Sequence, residues 1–410
     1  MQHNKYPFLL LALLGCSSNT DSSGAAEEDL SRDHWRRHIH KVFGDAGTTT
    51  NDSGTQQQQQ DSGTQQQQQD SGTQQQQQDS GTQQQQQDSG TQQQQQDSGT
   101  QQNNFIPAGW LYTSGNHVYV SNGTTGTVWV GRGVNADDTY LCGYNGSQWM
   151  TNSETQLTAM MSNVTKNWNA KFVRVSLSMY SFPQTPASWI GTSAYKTAMT
   201  NVITSMTNAG VYVMVTLRSD STMQEANNDE ATGLPTTSTD PTFVALVDSF
   251  ANNKYVMFGL SNEPGGNAFS NATIRASMDH ATSVIRAEED KLGVPHHIVS
   301  VQGNSWTSDI SFYGSSPLSQ DNVVYEVHGY PPPSSSYTFS NIPVVLGEYG
   351  TLTNSTTFFA DLETKQLPSL AWDFEPYSNC APDLVTVNLD PTNTVATTWG
   401  STVKQYLLAH

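Results

Sequence analysis

The chain has 410 residues and a formal net charge of −19, with only 17 Lys and Arg residues. This balance excludes a basic surface for nucleic acid and a polybasic patch for membranes. The three cysteines lack the spacing of zinc ligands, which argues against a structural zinc site. The length allows two or three average domains, or one barrel with extensions.

The first 16 residues predict an export signal. Lys5 precedes an apolar run, Phe8–Leu14, that is too short to span a bilayer. The segment L-L-G-C that ends at Cys16 resembles the lipobox of bacterial lipoproteins, which implies that Cys16 is diacylated and becomes the mature N-terminus. If the source has two membranes, Ser17 after the cysteine favours the outer one. The alternative to a lipoprotein signal is an ordinary signal peptide cleaved further along. We expect a secreted or cell-surface protein whose only contact with a membrane is this lipid anchor.

Residues 17–104 predict a disordered linker. The sequence D-S-G-T-Q-Q-Q-Q-Q occurs five times, and a truncated copy follows. The copies begin at Asp52, Asp61, Asp70, Asp79 and Asp88, and the truncated one at Asp97. No copy contains an apolar residue that could build a core, so we expect a flexible spacer between the anchor and a folded domain.

Residues 105–410 predict a folded domain in which strands alternate with helices. Eight apolar runs indicate buried strands: Val128–Val134, Phe172–Leu177, Val211–Leu217, Val256–Leu260, Ile298–Gln302, Val323–Val327, Val344–Leu346 and Ser369–Trp372. Helical patterns run from Ser153 to about Trp168, from Asp240-Pro241 onwards, over Asn271–Leu292 with Gly293 as the stop signal, and over Val395–Leu408.

Eight strands that alternate with helices predict a closed (β/α)8 barrel with a parallel sheet. A hairpin precedes the first strand, with its arms around Trp110–Tyr112 and Val118–Val120, and we expect it to cover the floor of the barrel. No glycine-rich phosphate loop follows the first strand, so the sequence gives no support for nucleotide binding.

Two glutamates end strands of this barrel in a similar way. Glu263 lies in V-M-F-G-L-S-N-E-P-G, and Glu348 lies in P-V-V-L-G-E-Y-G. Both would then lie at the carboxyl-terminal rim, where (β/α)8 barrels carry out their chemistry. Hydrolysis of a glycosidic bond typically requires two carboxyl groups that face each other across the bond.

The other strand ends carry polar and aromatic residues. The first strand ends in Gly131–Asn135, the second carries Arg174, the third ends in Leu217–Asp220, the fifth leads to Trp306, the sixth to His328 and Tyr330, and the eighth to Trp372 and Asp373. Such residues at the ends of many strands predict a cleft rather than a core.

This constellation resembles glycoside hydrolase family 5, the retaining β-glycanases typified by cellulases, from roughly Gly109 to Leu408. The resemblance is carried by Arg174, Asn262-Glu263-Pro264, His328 with Tyr330, Glu348 and Trp372. It implies that Glu263 is the general acid/base and Glu348 the nucleophile, about 5–5.5 Å apart. Glu263 must then hold a proton in the free enzyme, whereas Glu348 must be ionised.

The resemblance also implies roles for the surrounding residues. Arg174 would lower the pKa of Glu348, and Tyr330 would donate a hydrogen bond to it. Asn262 would bind the sugar 2-OH, His328 would position the acid/base or the sugar, and Trp372 would stack on the sugar. Trp306 is a weaker candidate for a flanking subsite, as are Tyr180 and Trp149. The chain departs from the family because no histidine follows the third strand, where Arg218 or Asp220 takes that place.

Cys142 follows the first strand and Cys380 follows the eighth. These strands are neighbours in a closed barrel, and the protein is expected to be exported. We therefore predict a Cys142–Cys380 disulfide that braces the wall of the cleft, with two buried free thiols as the alternative.

Together these features predict a secreted endo-β-1,4-glucanase with a retaining mechanism. We expect a monomer that acts on a β-linked polysaccharide without a cofactor or metal. An endo-β-1,4-mannanase or another β-glycanase of the same family is the alternative within this class. A surface protein that binds carbohydrate on an inactivated barrel is the alternative from a different class.

Overall fold

The computed structural model of this protein describes residues 106–138, 153–179, 188–226, 229–264, 266–330, 339, 341–350, 352, 354–375, 382–386 and 394–410. All of them belong to the unit Asn104–His410. The predicted export signal, the repeats, Trp149, Tyr180 and the Cys142–Cys380 disulfide lie outside the described residues.

Strands and helices alternate along the described chain. The strands are β1 Leu111–Ser114, β2 His117–Ser121, β3 Gly126–Val128, β4 Arg132–Asp137, β5 Phe172–Ser178, β6 Tyr212–Ser219, β7 Gln224–Ala226, β8 Asp229–Leu234, β9 Val256–Gly259, β10 Val299–Gln302, β11 Val323–Gly329, β12 Val344–Tyr349 and β13 Ser369–Ala371. The longer helices are α1 Ser153–Asn167, α2 Ala194–Asn208, α3 Asp240–Phe250, α4 Asn271–Leu292, α5 Ser355–Lys365 and α6 Thr398–Ala409. Two short helical segments, Asn304–Thr307 and Ser311–Ser315, follow β10. No helix within the described ranges is both long enough and apolar enough to cross a membrane.

Eight of the strands form a closed parallel barrel, which confirms the predicted (β/α)8 fold. Its order is β4-β5-β6-β9-β10-β11-β12-β13, and β13 pairs with β4 to close the ring. The small hairpin β7–β8 lies in the connection between β6 and α3. Because all the barrel strands run the same way, their carboxyl ends meet at one rim.

The first hairpin covers the floor of the barrel, as predicted. Leu111 pairs with Val120, and β3 adds a third strand to the small sheet. Leu111 and Val118 pack against the lowest layer of side chains inside the barrel. That layer contains Phe172, Met214, Met257, Ile298, Val324, Val345 and Leu370. Within the described residues, apolar packing therefore closes the floor of the barrel.

The first barrel strand lies further along the chain than the sequence predicted. It is Arg132–Asp137 instead of Val128–Val134, because Gly126–Val128 is taken up by pairing with β2. Arg132 is consequently not a rim residue. It lies at the floor end of β4 and forms an ion pair with Glu363 of α5.

Helix boundaries follow local capping chemistry. Helix α4 coincides with the predicted Asn271–Leu292: the Ser270 side chain accepts from Thr273 N, and Gly293 ends the helix with a φ of 68°. Helix α6 begins at Thr398 rather than at the predicted Val395, because Thr397 is its N-cap and accepts a hydrogen bond from Gly400 N.

Candidate active site

The site is built on the alternation of side chains along the barrel strands. Phe172 and Val324 face the interior at the floor, so the residues two positions later, Arg174 and Glu326, face it one layer higher. Another step of two along β11 gives His328 at the rim. Apolar side chains therefore fill the lower barrel, and charged ones fill its upper part.

Arg174 is at the centre of the upper layer and is completely buried. Its Nη1 donates to Asn135 Oδ1 at 3.0 Å and to Glu348 Oε1 at 2.9 Å. Its Nη2 donates to Asn262 Oδ1 at 2.7 Å, and its Nε lies 3.0 Å from Glu326 Oε1. One guanidinium thus positions side chains from four other strand ends.

Glu348 points into the barrel because β12 carries a bulge. The pairing with β11 shifts register between Val327 and His328, so that His328 lies opposite Glu348 and Gly347 is the extra residue. Tyr330 Oη donates to Glu348 Oε2 at 3.0 Å. Burial raises the pKa of Tyr330 well above its usual value, so this hydroxyl keeps its proton.

Burial has the largest effect on Glu348 itself and raises the pKa of its carboxyl group. The neighbouring His328 and Arg174 act against this rise, as expected for Arg174. The hydrogen bonds from Arg174 and Tyr330 also favour the carboxylate over the acid. These contacts provide the conditions under which a buried glutamate can stay ionised.

Glu263 lies across the rim from Glu348 and is more exposed, with 21% of its side chain accessible against 6% for Glu348. Its backbone has a φ of 46°, a left-handed conformation that is uncommon outside glycine. Its N–H donates to Gln302 Oε1 at 2.5 Å, which holds this turn in place. An oxygen of each carboxyl group lies within 4.8 Å of the other, so the two glutamates form a close pair.

His328 bridges the two glutamates and a third carboxylate. Its Nδ1 lies 3.0 Å from Glu263 Oε1 and 3.5 Å from Glu348 Oε1, while its Nε2 lies 3.0 Å from Glu326 Oε1. Burial lowers the pKa of His328, but the neighbouring Glu348, Glu263 and Glu326 outweigh it and raise the pKa to about 9. The imidazole is therefore a cation at neutral pH.

Trp372 and Arg218 lie together at the rim. The guanidinium carbon of Arg218 is 5.7 Å from the centroid of the Trp372 ring, within the range of a cation–π contact. Asp220 has another role, because Thr222 Oγ1 and Thr242 Oγ1 donate to it at 2.6 and 3.1 Å and tie it to the next loop and to α3. Of the two residues that could stand in for the missing histidine, Arg218 is the one beside the aromatic ring.

Trp306 follows β10 and lies close to the loop of the acid/base candidate. Its backbone N–H donates to Gly266 O at 3.2 Å, and its φ is 53°. A Cβ added at Gly266 would meet the Trp306 ring at 3.0 Å. The half-buried ring therefore packs over Gly266, three residues after Glu263.

The structure brings the predicted site residues of the described chain together at the rim. Two further residues belong to the cluster, although the sequence pattern predicted them only as parts of buried strands: Gln302 and Glu326. Glu326 could have been found, since a charged residue two positions after the inward-facing Val324 is unusual in an apolar strand.

Glu263, His328 and Glu348 each offer one ligand atom within 4.8 Å of the others, which is also the spacing of a cation site. The buried guanidinium of Arg174, 2.9 Å from Glu348, disfavours a cation there because like charges repel. The arrangement suits proton transfer and attack by a carboxylate better than metal binding.

The family model described as cellulase (glycosyl hydrolase family 5) matches residues 132–378. Among solved structures, the chain is similar to a β-glucanase from Saccharophagus degradans, with a TM-score of 0.57 and 18% identity over 74% of this chain and 94% of that one. It is similar to the catalytic domain of an endoglucanase from Thermobifida fusca, with a TM-score of 0.52 and 16% identity over 73% and 97%.

A β-mannanase from Streptomyces thermolilacinus, solved with mannohexaose, has a TM-score of 0.51 and 21% identity over 73% of this chain and 94% of that one. At these identities the three similarities show a shared fold. No curated protein matches the sequence.

Proposed function

Because this chain belongs to glycosyl hydrolase family 5 and is a glycoside hydrolase, we propose that it is an endo-β-1,4-glucanase with a retaining mechanism. The observation that carries the proposal is the close Glu263–Glu348 pair, whose nearest oxygens lie within 4.8 Å. A retaining enzyme needs its carboxyl groups about 5–5.5 Å apart, whereas an inverting enzyme leaves room for a water at about 6.5–9.5 Å.

In the first step, Glu348 attacks the anomeric carbon and Glu263 gives its proton to the departing glycosidic oxygen. The bond from the anomeric carbon to that oxygen breaks as the bond to the Glu348 carboxylate forms. The hydrogen bonds from Arg174 and Tyr330 orient the Glu348 carboxylate for this attack. Because Arg174 donates to Asn262 Oδ1, the amide is oriented, and we propose that its NH2 group donates to the sugar 2-OH.

In the second step, Glu263 acts as a base. It removes a proton from a water molecule, which attacks the anomeric carbon and releases Glu348. Trp372 provides an apolar face for the sugar at the cleavage point, and Trp306 provides one on the leaving-group side because it packs beside the Glu263 loop.

The choice of a glucan is supported by the structural neighbours. The Saccharophagus degradans β-glucanase was also solved with cellotetraose, which shows that this fold can hold a β-glucan chain. The mannanase neighbour makes β-1,4-mannan the second candidate. The two polymers differ in the configuration at C2, so the surroundings of the 2-OH would decide between them.

We also propose that the protein is exported and anchored by a lipid at Cys16, with residues 17–104 as a spacer before the barrel at 105–410. The sequence of the first 16 residues supports this proposal. Labelling cells with palmitate should place label on the wild type and none on Cys16→Ala. Label on neither protein would indicate an ordinary signal peptide.

The function is tested by reducing-sugar release from carboxymethylcellulose and from galactomannan. We expect the wild type to act on the glucan, Glu348→Ala to be inactive, and Asp248→Ala, which changes an exposed carboxylate on α3, to match the wild type. Activity on mannan alone would keep the mechanism and replace the substrate. Binding of glucan without new reducing ends would instead favour a carbohydrate-binding protein.

A further inference from the structure

We propose that Glu326 is a positioning residue. It holds His328 in the doubly protonated form, so that an N–H of the imidazole faces Glu263 and stabilises the carboxylate that Glu263 becomes during the reaction. This inference rests on the proposed function of the Glu263–Glu348 pair. Glu326 does not reach the rim and does not touch a substrate, so its effect would pass through His328.

The contacts of Glu326 use both of its carboxylate oxygens. Oε1 lies 3.0 Å from Arg174 Nε and 3.0 Å from His328 Nε2. Oε2 accepts from Ser300 Oγ at 2.7 Å. The side chain is completely buried, yet its pKa falls to about 2, because Arg174 and His328 outweigh the opposing effect of burial. Glu326 is therefore a permanent negative charge inside the barrel.

The imidazole of His328 has carboxylate oxygens on both of its nitrogens. Nε2 faces Glu326, and Nδ1 faces Glu263 and, slightly further away, Glu348. A neutral imidazole has one N–H donor and one acceptor, so once Glu263 is ionised it would direct a lone pair at a carboxylate oxygen on one side. The imidazolium donates on both sides. Gln302 Nε2, 3.4 Å from His328 Nε2, is the remaining neighbour on this side.

The charges around His328 balance only if Glu326 is present. Arg174 and the imidazolium are positive, and Glu326 and Glu348 are negative, while the proposed mechanism requires a proton on Glu263 before the first step. Outside this group, Arg218 acts to lower the pKa of Glu348. Besides the larger effect of burial, Glu348 raises the pKa of Asp373, and Asp373 raises that of Tyr330. Tyr330 is therefore neutral. Removing the charge of Glu326 leaves an excess of positive charge, which disfavours the imidazolium.

The form of His328 matters because Glu263 changes its own charge during the reaction. When Glu263 gives its proton to the leaving group, it becomes a carboxylate with Oε1 beside His328 Nδ1. An N–H at that position donates to the new carboxylate, whereas a lone pair would repel it. His328 keeps both of its protons throughout, and the transferred proton comes from Glu263 alone.

The chain leaves room for the carboxylate of Glu326. A Cβ added at Gly347 would collide with Oε1 of Glu326, so the glycine before Glu348 keeps space for it. Glu326 also compensates the charge of the buried Arg174, so its loss would lower stability as well as act on His328. The titration of His328 separates the two roles, because a role in stability alone would leave the midpoint of His328 unchanged.

The test is Glu326→Gln, with Glu289→Gln as the matched control. Glu289 is also a buried glutamate paired with an arginine and a histidine, Arg286 and His297, but it lies at the floor end of the barrel. His328 is titrated by NMR of labelled imidazole nitrogens, with its signals assigned by their loss in His328→Gln. The pH profile of kcat/KM is measured on the same proteins.

We expect His328 in the wild type to titrate near pH 9, and Glu326→Gln to lower that midpoint by about one pH unit or more. The fall of kcat/KM at alkaline pH should move down with it, while Glu289→Gln leaves both unchanged. A wild-type His328 that titrates near 6.5, or a folded Glu326→Gln with an unchanged midpoint and profile, would overturn the proposal.

The wild-type titration does not depend on Glu326→Gln, so the proposal remains testable if that variant does not fold. The NMR measurement also needs no turnover. Loss of the proposed function would appear as a wild type that is inactive on every β-glycan, which is separate from an unchanged His328 midpoint.

Discussion

Arg174 and Glu348 form a buried ion pair, with Nη1 of the arginine 2.9 Å from Oε1 of the glutamate. The same guanidinium also contacts Asn135, Asn262 and Glu326. A buried arginine with this many partners has two effects: it compensates carboxylates that would otherwise be costly to bury, and it fixes the position of the nucleophile candidate.

Replacing Arg174 by Met should therefore reduce both stability and activity. The variant removes one of the two cations that Glu326 and Glu348 share, which should lower the free energy of unfolding by about 3–5 kcal/mol. Urea denaturation measures this, with Arg275→Met as the control, because the hydrogen bonds of Arg275 in the described part of the chain go to the exposed carbonyl groups of Ser316 and Pro317. A loss as small as that of the control would show that the ion pair has no such role.

The stability of the protein should fall as the pH rises through about 9. The pKa of His328 is raised from 6.5 to about 9 by the nearby carboxylates, against the opposing effect of burial. The contribution of His328 to the free energy of unfolding amounts to about 3 kcal/mol. It is fully present below the pKa of the unfolded state and is lost as the pH rises through the pKa of the folded state.

The pH dependence is measured as the difference in unfolding free energy between the wild type and His328→Gln. This difference should be largest near pH 6 and small near pH 10, while other groups such as His296 cancel. A difference that does not change over this range would contradict the raised pKa.

The loss of activity in Glu263→Ala should depend on how strongly the leaving group needs a proton from the enzyme. We expect the hydrolysis of cellulose derivatives to fall by about 10³-fold, but the formation of the glycosyl-enzyme from a dinitrophenyl β-cellobioside to change little. Added azide should restore turnover and give a β-glycosyl azide, whereas Glu348→Ala should give the α-azide. Exchange of these two products between the variants would reverse the roles of the glutamates.

Arg218 and Asp220 should differ in the kind of effect they have. Arg218→Ala removes the cation beside Trp372 and should lower kcat/KM by about tenfold, mainly through KM. Asp220→Asn weakens the contacts with Thr222 and Thr242 and should lower the melting temperature without changing KM. The opposite pattern would place Asp220, and not Arg218, at the sugar.

The fold was predictable because its strands are buried on both faces and form continuous apolar runs. Capping residues gave helix α4 its bounds, since Ser270 and Gly293 act locally. The prediction misplaced the first barrel strand because the apolar run Val128–Val130 contains the end of β3, which belongs to the small sheet, and lies just before β4 of the barrel. Local patterns do not reveal which sheet a short strand joins.

The sequence was sufficient to predict which residues lie at the rim, but not in which direction their side chains point. Two bulges determine those directions: one in β12 turns Glu348 inward, and another in β6 makes Arg218 the extra residue opposite β5. The alternation along a strand gives no sign of such shifts. The contacts of Glu326 with Arg174 and His328 also depend on strand register, which only the closed barrel fixes.

The central claim, that Glu348 is the nucleophile of a retaining glycosidase, is tested most directly by trapping the intermediate. The wild type is incubated with a 2-deoxy-2-fluoro β-cellobioside that carries a dinitrophenolate leaving group, and the intact mass and the peptides are then measured. We predict one fluorocellobiosyl group per chain, attached to Glu348, and none on Glu348→Gln. An adduct on another residue, or an active enzyme that forms no adduct and releases the α-anomer first, would contradict the account.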